Sequence, residues 1–134
     1  MNEDSDDPAP PPPRPTIKVV GPCKSGKSTL VAGLQALGYA ARSCSQEHSD
    51  VPTMWQRISP ADLLIFLDLS LPTQRRRAGT AEWDGQWLAV QQSRLAHARA
   101  HADLVLHTDQ LSPAEVLART AAFLQASGQN QPSI

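Results

Sequence analysis

The sequence predicts an α/β protein, a three-layer fold in which a mostly parallel sheet of about four strands is flanked by helices. Three observations carry that expectation. Short apolar, β-branched runs alternate with segments of helical periodicity from residue 16 onward. The run Leu63-Leu64-Ile65-Phe66-Leu67 is unbroken, as in a strand covered on both faces. Strands that alternate with helices join into a parallel sheet through right-handed crossovers.

Thr16-Ile17-Lys18-Val19-Val20 is the first strand and stops at Gly21. From Ser28, the residues Leu30, Val31, Leu34 and Leu37 share one helical face, and Gly38 stands where a left-handed C-terminal cap belongs. Tyr39 to Ser43 is a weak second strand. The polar stretch through Gln46, Glu47, His48 and Pro52 gives way to Met54, Trp55 and Ile58, which suggest a helical turn or two. Leu63 to Asp68 is the central strand. From Glu82 to Arg99, Trp83, Trp87 and Val90, with Leu88 and Leu95, recur at helical spacing and define an amphipathic helix. Asp103 to Thr108 is the last strand. Ser112, Pro113 and Glu115 then occupy the N-cap, N1 and N3 positions of a capping box, and the helix they open buries Val116, Leu117, Thr120, Phe123 and Leu124 before Gly128 ends it.

The 134 residues, 40% of them hydrophobic, supply one modest core. Residues 1–15 hold six of the twelve prolines and four of the thirteen acids, so they read as a disordered arm. Residues 16–128 form the domain and 129–134 a flexible tail. Without the arm the charge is about +2, too small to imply nucleic-acid binding through electrostatics alone. No stretch approaches the ~20 apolar residues of a membrane span, and the acidic N-terminus is unlike a signal peptide. A cytoplasmic protein is expected, with Cys23 and Cys44 as reduced thiols in no zinc-type spacing.

Gly21-Pro22-Cys23-Lys24-Ser25-Gly26-Lys27-Ser28 fits G-x-x-x-x-G-K-[ST] and lies between a predicted strand and a predicted helix. Its glycines let the backbone turn so that successive N–H groups face phosphate oxygens, and the helix that follows adds its positive dipole end. Lys27 is then the bridge to the terminal phosphates, Ser28 a Mg²⁺ ligand, and Thr29 a contact to the α-phosphate. Cys23 reads as a plain loop residue, the alternative being an oxidisable thiol whose pKa the same N–H groups and Lys24 lower.

This segment resembles the Walker A loop of P-loop NTPases. Asp68-Leu69-Ser70-Leu71 lacks D-x-x-G, no N-K-x-D occurs, LSGGQ is absent and no acid follows Asp68. The remainder is similar to small P-loop kinases of the nucleotide-, gluconate- and shikimate-kinase type. That resemblance implies Mg²⁺ and ATP as cofactors. It makes Thr73-Gln74-Arg75-Arg76-Arg77 similar to a lid-opening arginine segment, Arg94 and Arg99 similar to later lid arginines, and His107-Thr108-Asp109 with the Ser112 helix similar to the unit that completes an adenine pocket. Only about two dozen residues, 39 to 62, stand where those kinases carry the acceptor site.

The candidate catalytic set is Lys27, Asp68, Glu47 and Arg76, with Arg75 and Arg77 on the phosphates and Ser28 and Asp68 on the metal. Asp68 has two readings: a Mg²⁺ contact through water, or a residue that caps the next helix or orients the lid. Glu47 is a base or Mg²⁺ ligand and His48 a phosphate contact, unless both belong to a surface loop. Trp83 and Trp87 read as core or interface, which admits a homodimer, and His97 with His101 as a wet helix face and not a metal pair. The function expected is an ATP-dependent small-molecule kinase or slow ATPase of unidentified acceptor. The alternative is a nucleotide sensor acting through a protein partner, and nucleic acid ranks last.

Overall fold

The computed structural model describes residues 15–57, 62–80, 82 and 84–126. Residues 1–14 of the expected arm, the tail, Ile58, Trp83 and Gly128 lie outside them. The elements run β1 (Thr16–Val20), α1 (Lys27–Ala36), β2 (Ala40–Ser43), a 3-10 turn (Gln46–His48), α2 (Met54–Arg57), β3 (Leu63–Asp68), α3 (Leu71–Ala78), α4 (Gly85–His101), β4 (Leu104–His107) and α5 (Pro113–Ala126).

The four strands form one all-parallel sheet in the order β2-β1-β3-β4. The chain steps from β1 outward to β2, returns past β1 to β3, and continues to β4. This reversal puts a switch point between β1 and β3, and right-handed connections on either side of it carry helices to opposite faces. Alternation within the strands follows. Ile17, Val19, Leu63, Ile65 and Leu67 pack with Leu30 and Leu34 of α1 and Val116 and Leu124 of α5. Val20, Leu64 and Phe66 face the other way, onto Leu95 and Ala98 of α4. Both strand faces are buried, which is why β3 reads as an uninterrupted apolar run.

Glycine matters most where elements meet closely. A Cβ at Gly33 would come within 2.9 Å of Leu117, so the bare backbone lets α1 and α5 approach. Gly38, at φ 96°, takes the left-handed conformation just past α1. The α5 capping box closes in both directions: Glu115 accepts from the Ser112 N–H at 2.7 Å, and Ser112 Oγ from the Glu115 N–H at 3.1 Å.

The α4 face differs from expectation. Its buried stripe is Leu88, Gln91, Leu95 and Ala98, while Trp87 and Val90 are exposed at 36% and 40%. Asp84 caps the helix through the Gln86 N–H at 2.9 Å, so α4 begins later than the Trp83 register implied. No helix among the described residues is long and apolar enough to cross a membrane.

Candidate functional site

The loop of residues 21–28 leaves the C-terminal end of β1 beside the switch point, where ligands of open parallel sheets collect. Its curvature depends on Gly21, because a Cβ there would lie 2.3 Å from the Leu67 carbonyl oxygen and 2.7 Å from Ser25 Oγ. Lys24 and Gly26 take positive φ values of 68° and 103°. Gly26 is the N-cap of α1, no side chain caps that end and its first turn has no acid. The N–H groups that open an α-helix lack intrahelical partners, so this end is suited to an anion.

Two buried glutamines, one from α4 and one from α3, fix the loop. Gln91 Oε1 of α4 accepts from the Cys23 N–H at 2.9 Å, and Gln74 Nε2 of α3 donates to the Cys23 carbonyl at 3.0 Å. Sequence reasoning did not single out Gln91. A polar residue in register with Leu88, Leu95 and Ala98 was the available signal, since a fully buried amide needs a partner.

Lys27 turns back over the loop. Its Nζ donates to the Gly21 carbonyl at 2.8 Å, the Pro22 carbonyl at 3.2 Å and Glu47 Oε2 at 2.7 Å. Glu47 belongs to the 3-10 turn and its side chain is 4% exposed, with Oε1 buried and unpartnered. Gln46 anchors that turn by donating to the Val51 carbonyl at 2.7 Å and accepting from the Trp55 N–H at 2.8 Å. Arg94 completes the anchor, with Nε 3.0 Å from Asp50 Oδ1 and Nη1 3.3 Å from the Glu47 carbonyl. The resemblance makes Arg94 a lid arginine, whereas here its carboxylate partner is Asp50. Glu47 is thus no surface-loop residue, being buried against the predicted phosphate-binding lysine, while His48 beside it is exposed.

Two cavities flank the loop. One is lined by Cys23, Lys24, Gly26, Lys27, Ser28, Thr29 and Glu47. The other, of about 300 Å³, is lined by Lys24, Ser25, Gly26 and Thr29 on one side and by Arg77, Thr108, Leu111, Pro113 and Val116 on the other. Arg77 is fixed there: Nη1 donates to the Lys24 carbonyl at 2.9 Å and Thr108 Oγ1 at 3.1 Å, and Nη2 to the Thr108 carbonyl at 2.6 Å. Arg75 and Arg76 line a separate, shallower hollow with Gly79 and Thr80, and Arg76 donates to Thr73 Oγ1 at 3.4 Å.

Asp68 is not among the residues lining the two loop cavities. Its Oδ1 accepts from the Leu69 N–H at 2.9 Å, and Oδ2 lies 3.7 Å from Arg99 and 3.9 Å from His107. It lines a hollow on the α4 side with Phe66, Gln92, Ala96, Arg99 and Ala100. The carboxylate beside Lys27 is Glu47. Cys23 does not take the alternative of an activated thiol. Burial, with the Glu47 charge, raises its thiol pKa and outweighs the opposing effect of Lys27, Gln91 and Lys24.

Compared with protein-family models and with curated proteins, the chain matches none.

Proposed function

We propose that the chain is a nucleoside-triphosphate-binding protein of P-loop type, with residues 21–28 as its phosphate loop and ATP with Mg²⁺ as its ligand. One observation carries the reading. Lys27, at the start of a helix with no capping side chain, is held by the buried carboxylate of Glu47 on a loop whose first glycine admits no Cβ. A cationic, N–H-rich cradle closed by an internal carboxylate fits a polyanion that takes the carboxylate's place.

The donor set fits the group. Gly26 and the opening turn of α1 would bind phosphate through backbone N–H groups, Lys27 would neutralise it, and Ser28 and Thr29 line the same cavity with hydroxyls. Glu47, once released by Lys27, is the nearby carboxylate for a hydrated Mg²⁺. The cavity beyond Gly26 is of the size and character of a base site: Arg77 contributes a fixed guanidinium to the same lining as Leu111 and Pro113. When bound, Mg²⁺ supplies charge neutralisation on the phosphates. The protein's own part is to orient the chain of phosphates and to exchange Lys27 from Glu47 to the ligand.

The sensor reading has a specific observation in its favour. Residues 39–57 form one edge strand, a single 3-10 turn and one helical turn, and Arg94 and Gln46 hold that segment on α4. An exchange at Glu47 therefore reaches the segment directly, as in a protein whose ligand is read by a partner. Calorimetric titration with Mg·ATP tests binding, and acceptor-free and acceptor-supplied turnover separates the two readings. Saturable heat lost in Lys27→Ala supports the proposal, and no heat with either ATP or GTP would overturn it.

A further inference from the structure

Across the mouth of the loop, Cys23, Glu47 and His48 bring one donor atom each close together. Their Sγ, carboxylate oxygen and imidazole nitrogen all lie within 4.8 Å of one another, the one such group of three among the described residues. Cys23 Sγ is 3.5 Å from His48 Nε2, which is 3.7 Å from Glu47 Oε2. In a tetrahedron built with zinc–ligand bonds of about 2.0–2.3 Å, neighbouring donors stand about 3.3–3.7 Å apart. Two edges of that figure are already present without an ion.

A second observation points the same way. The Glu47 carboxylate is buried, yet only Oε2 is engaged by Lys27 and Oε1 has no partner. A buried carboxylate oxygen left without a partner is costly. Oε2, the oxygen nearest His48, is the one Lys27 holds, so an ion at this point either shares Oε2 with Lys27 or draws Oε1 toward it by a turn of the carboxylate. Cys23 and His48 keep partial access to solvent, which leaves an entry path.

The geometry points to a binding site for a thiophilic divalent ion of the zinc class, held by Cys23, Glu47 and His48. Sulfur, imidazole and carboxylate together select zinc or cobalt over Mg²⁺ or Ca²⁺, which prefer all-oxygen shells. Three protein donors leave the fourth position to water or to a ligand oxygen, as in open zinc sites. Cys23 and Glu47 line the same cavity as Lys27 and Ser28, so that position adjoins the phosphate loop. The ion ties the loop to the 3-10 turn, two segments that already meet through Lys27 and Glu47 and through Cys23 and His48. The site needs no nucleotide, and its test is run without one.

The full chain, reduced and freed of chelators, is titrated with Co²⁺ while the thiolate-to-cobalt charge-transfer band and the ligand-field bands are followed. One ion per chain with tetrahedral-type bands, displaced by Zn²⁺, is the expected result. Cys23→Ser removes the charge-transfer band, His48→Gln weakens binding at least about tenfold, and Cys44→Ser leaves both unchanged. In the unsubstituted chain, Zn²⁺ also protects Cys23 but not Cys44 from alkylation, as read by peptide mass, so the assignment stays testable if a variant does not fold. Absence of the band, its survival in Cys23→Ser, its loss in Cys44→Ser, unchanged affinity in His48→Gln, or unprotected alkylation of Cys23 would overturn the site.

Discussion

Replacing Glu47 by glutamine keeps the shape of the side chain and removes the charge that faces Lys27 across 2.7 Å. At that separation two unit charges attract by about 1.5 kcal/mol at the dielectric of water and about 6 kcal/mol at an effective dielectric of 20. Desolvation of both groups consumes much of this, and loss of one partner of a buried pair still leaves the other uncompensated. Lys27 keeps its two carbonyl acceptors. We therefore expect Glu47→Gln to lower unfolding stability by ~2 kcal/mol, below the ~3–5 kcal/mol of pairs broken in full burial. The same change removes the competitor that an incoming polyanion must displace. Pyrophosphate without divalent metal should accordingly bind about 10- to 30-fold more tightly, which is ~1.4–2 kcal/mol. Urea unfolding monitored by circular dichroism gives the first quantity and calorimetry the second. Unchanged stability together with unchanged or weaker pyrophosphate binding would refute the latch between Lys27 and Glu47.

Gly21→Ala should destabilise the chain by more than ~3 kcal/mol, because the new Cβ meets the Leu67 carbonyl oxygen of a buried strand at 2.3 Å, and backbone cannot step aside; a melting temperature within a few degrees of the parent would contradict this. Arg77→Ala loses the bonds to Lys24 and Thr108 and should cost ~2 kcal/mol in stability. It should weaken ATP far more than pyrophosphate, and equal losses for both would show that Arg77 does not face the base. Partial burial pushes the Asp109 carboxyl upward, but the Ser70 N–H and hydroxyl, with Thr73 and Arg77, outweigh it and hold its pKa below the ordinary 3.8. A depressed carboxylate stabilises the fold fully above the unfolded-state pKa and loses that contribution as pH falls through the folded value. Stability should thus drop below about pH 4 less steeply in Asp109→Asn than in the parent, and identical acid limbs would contradict the assignment.

The strands were legible because a central parallel strand buried on both faces must be apolar throughout, as Leu63 to Leu67 are. The capping box at Ser112 and the glycine past α1 were legible because each is a local solution to unpaired backbone groups. The weak β2 follows from its place at the sheet edge, where only Ala41 of its four residues is buried. The site was legible as a string and not as an arrangement. Glu47 stands 20 residues from Lys27, and Gln91 stands 68 from Cys23. Periodicity cannot register a polar side chain that is buried because a distant backbone group needs it. For the same reason Trp87 outweighed Gln91 in the reading of α4, although the glutamine is buried and the tryptophan is exposed. Asp68 ends its strand at the expected edge, but strand alternation turns its side chain to the α4 side with Phe66, toward Arg99 and His107.

The central claim is that the backbone of residues 21–28 receives a triphosphate. Amide proton–nitrogen correlation spectra recorded during titration with a non-hydrolysable ATP analogue and Mg²⁺ measure this most directly. The account predicts large, saturable downfield shifts for the Gly26, Lys27 and Ser28 amides as they begin to donate to phosphate oxygens, with the Glu47 amide moving at the same ligand concentration. Loop amides that stay in place, while residues elsewhere shift or none do, would contradict it.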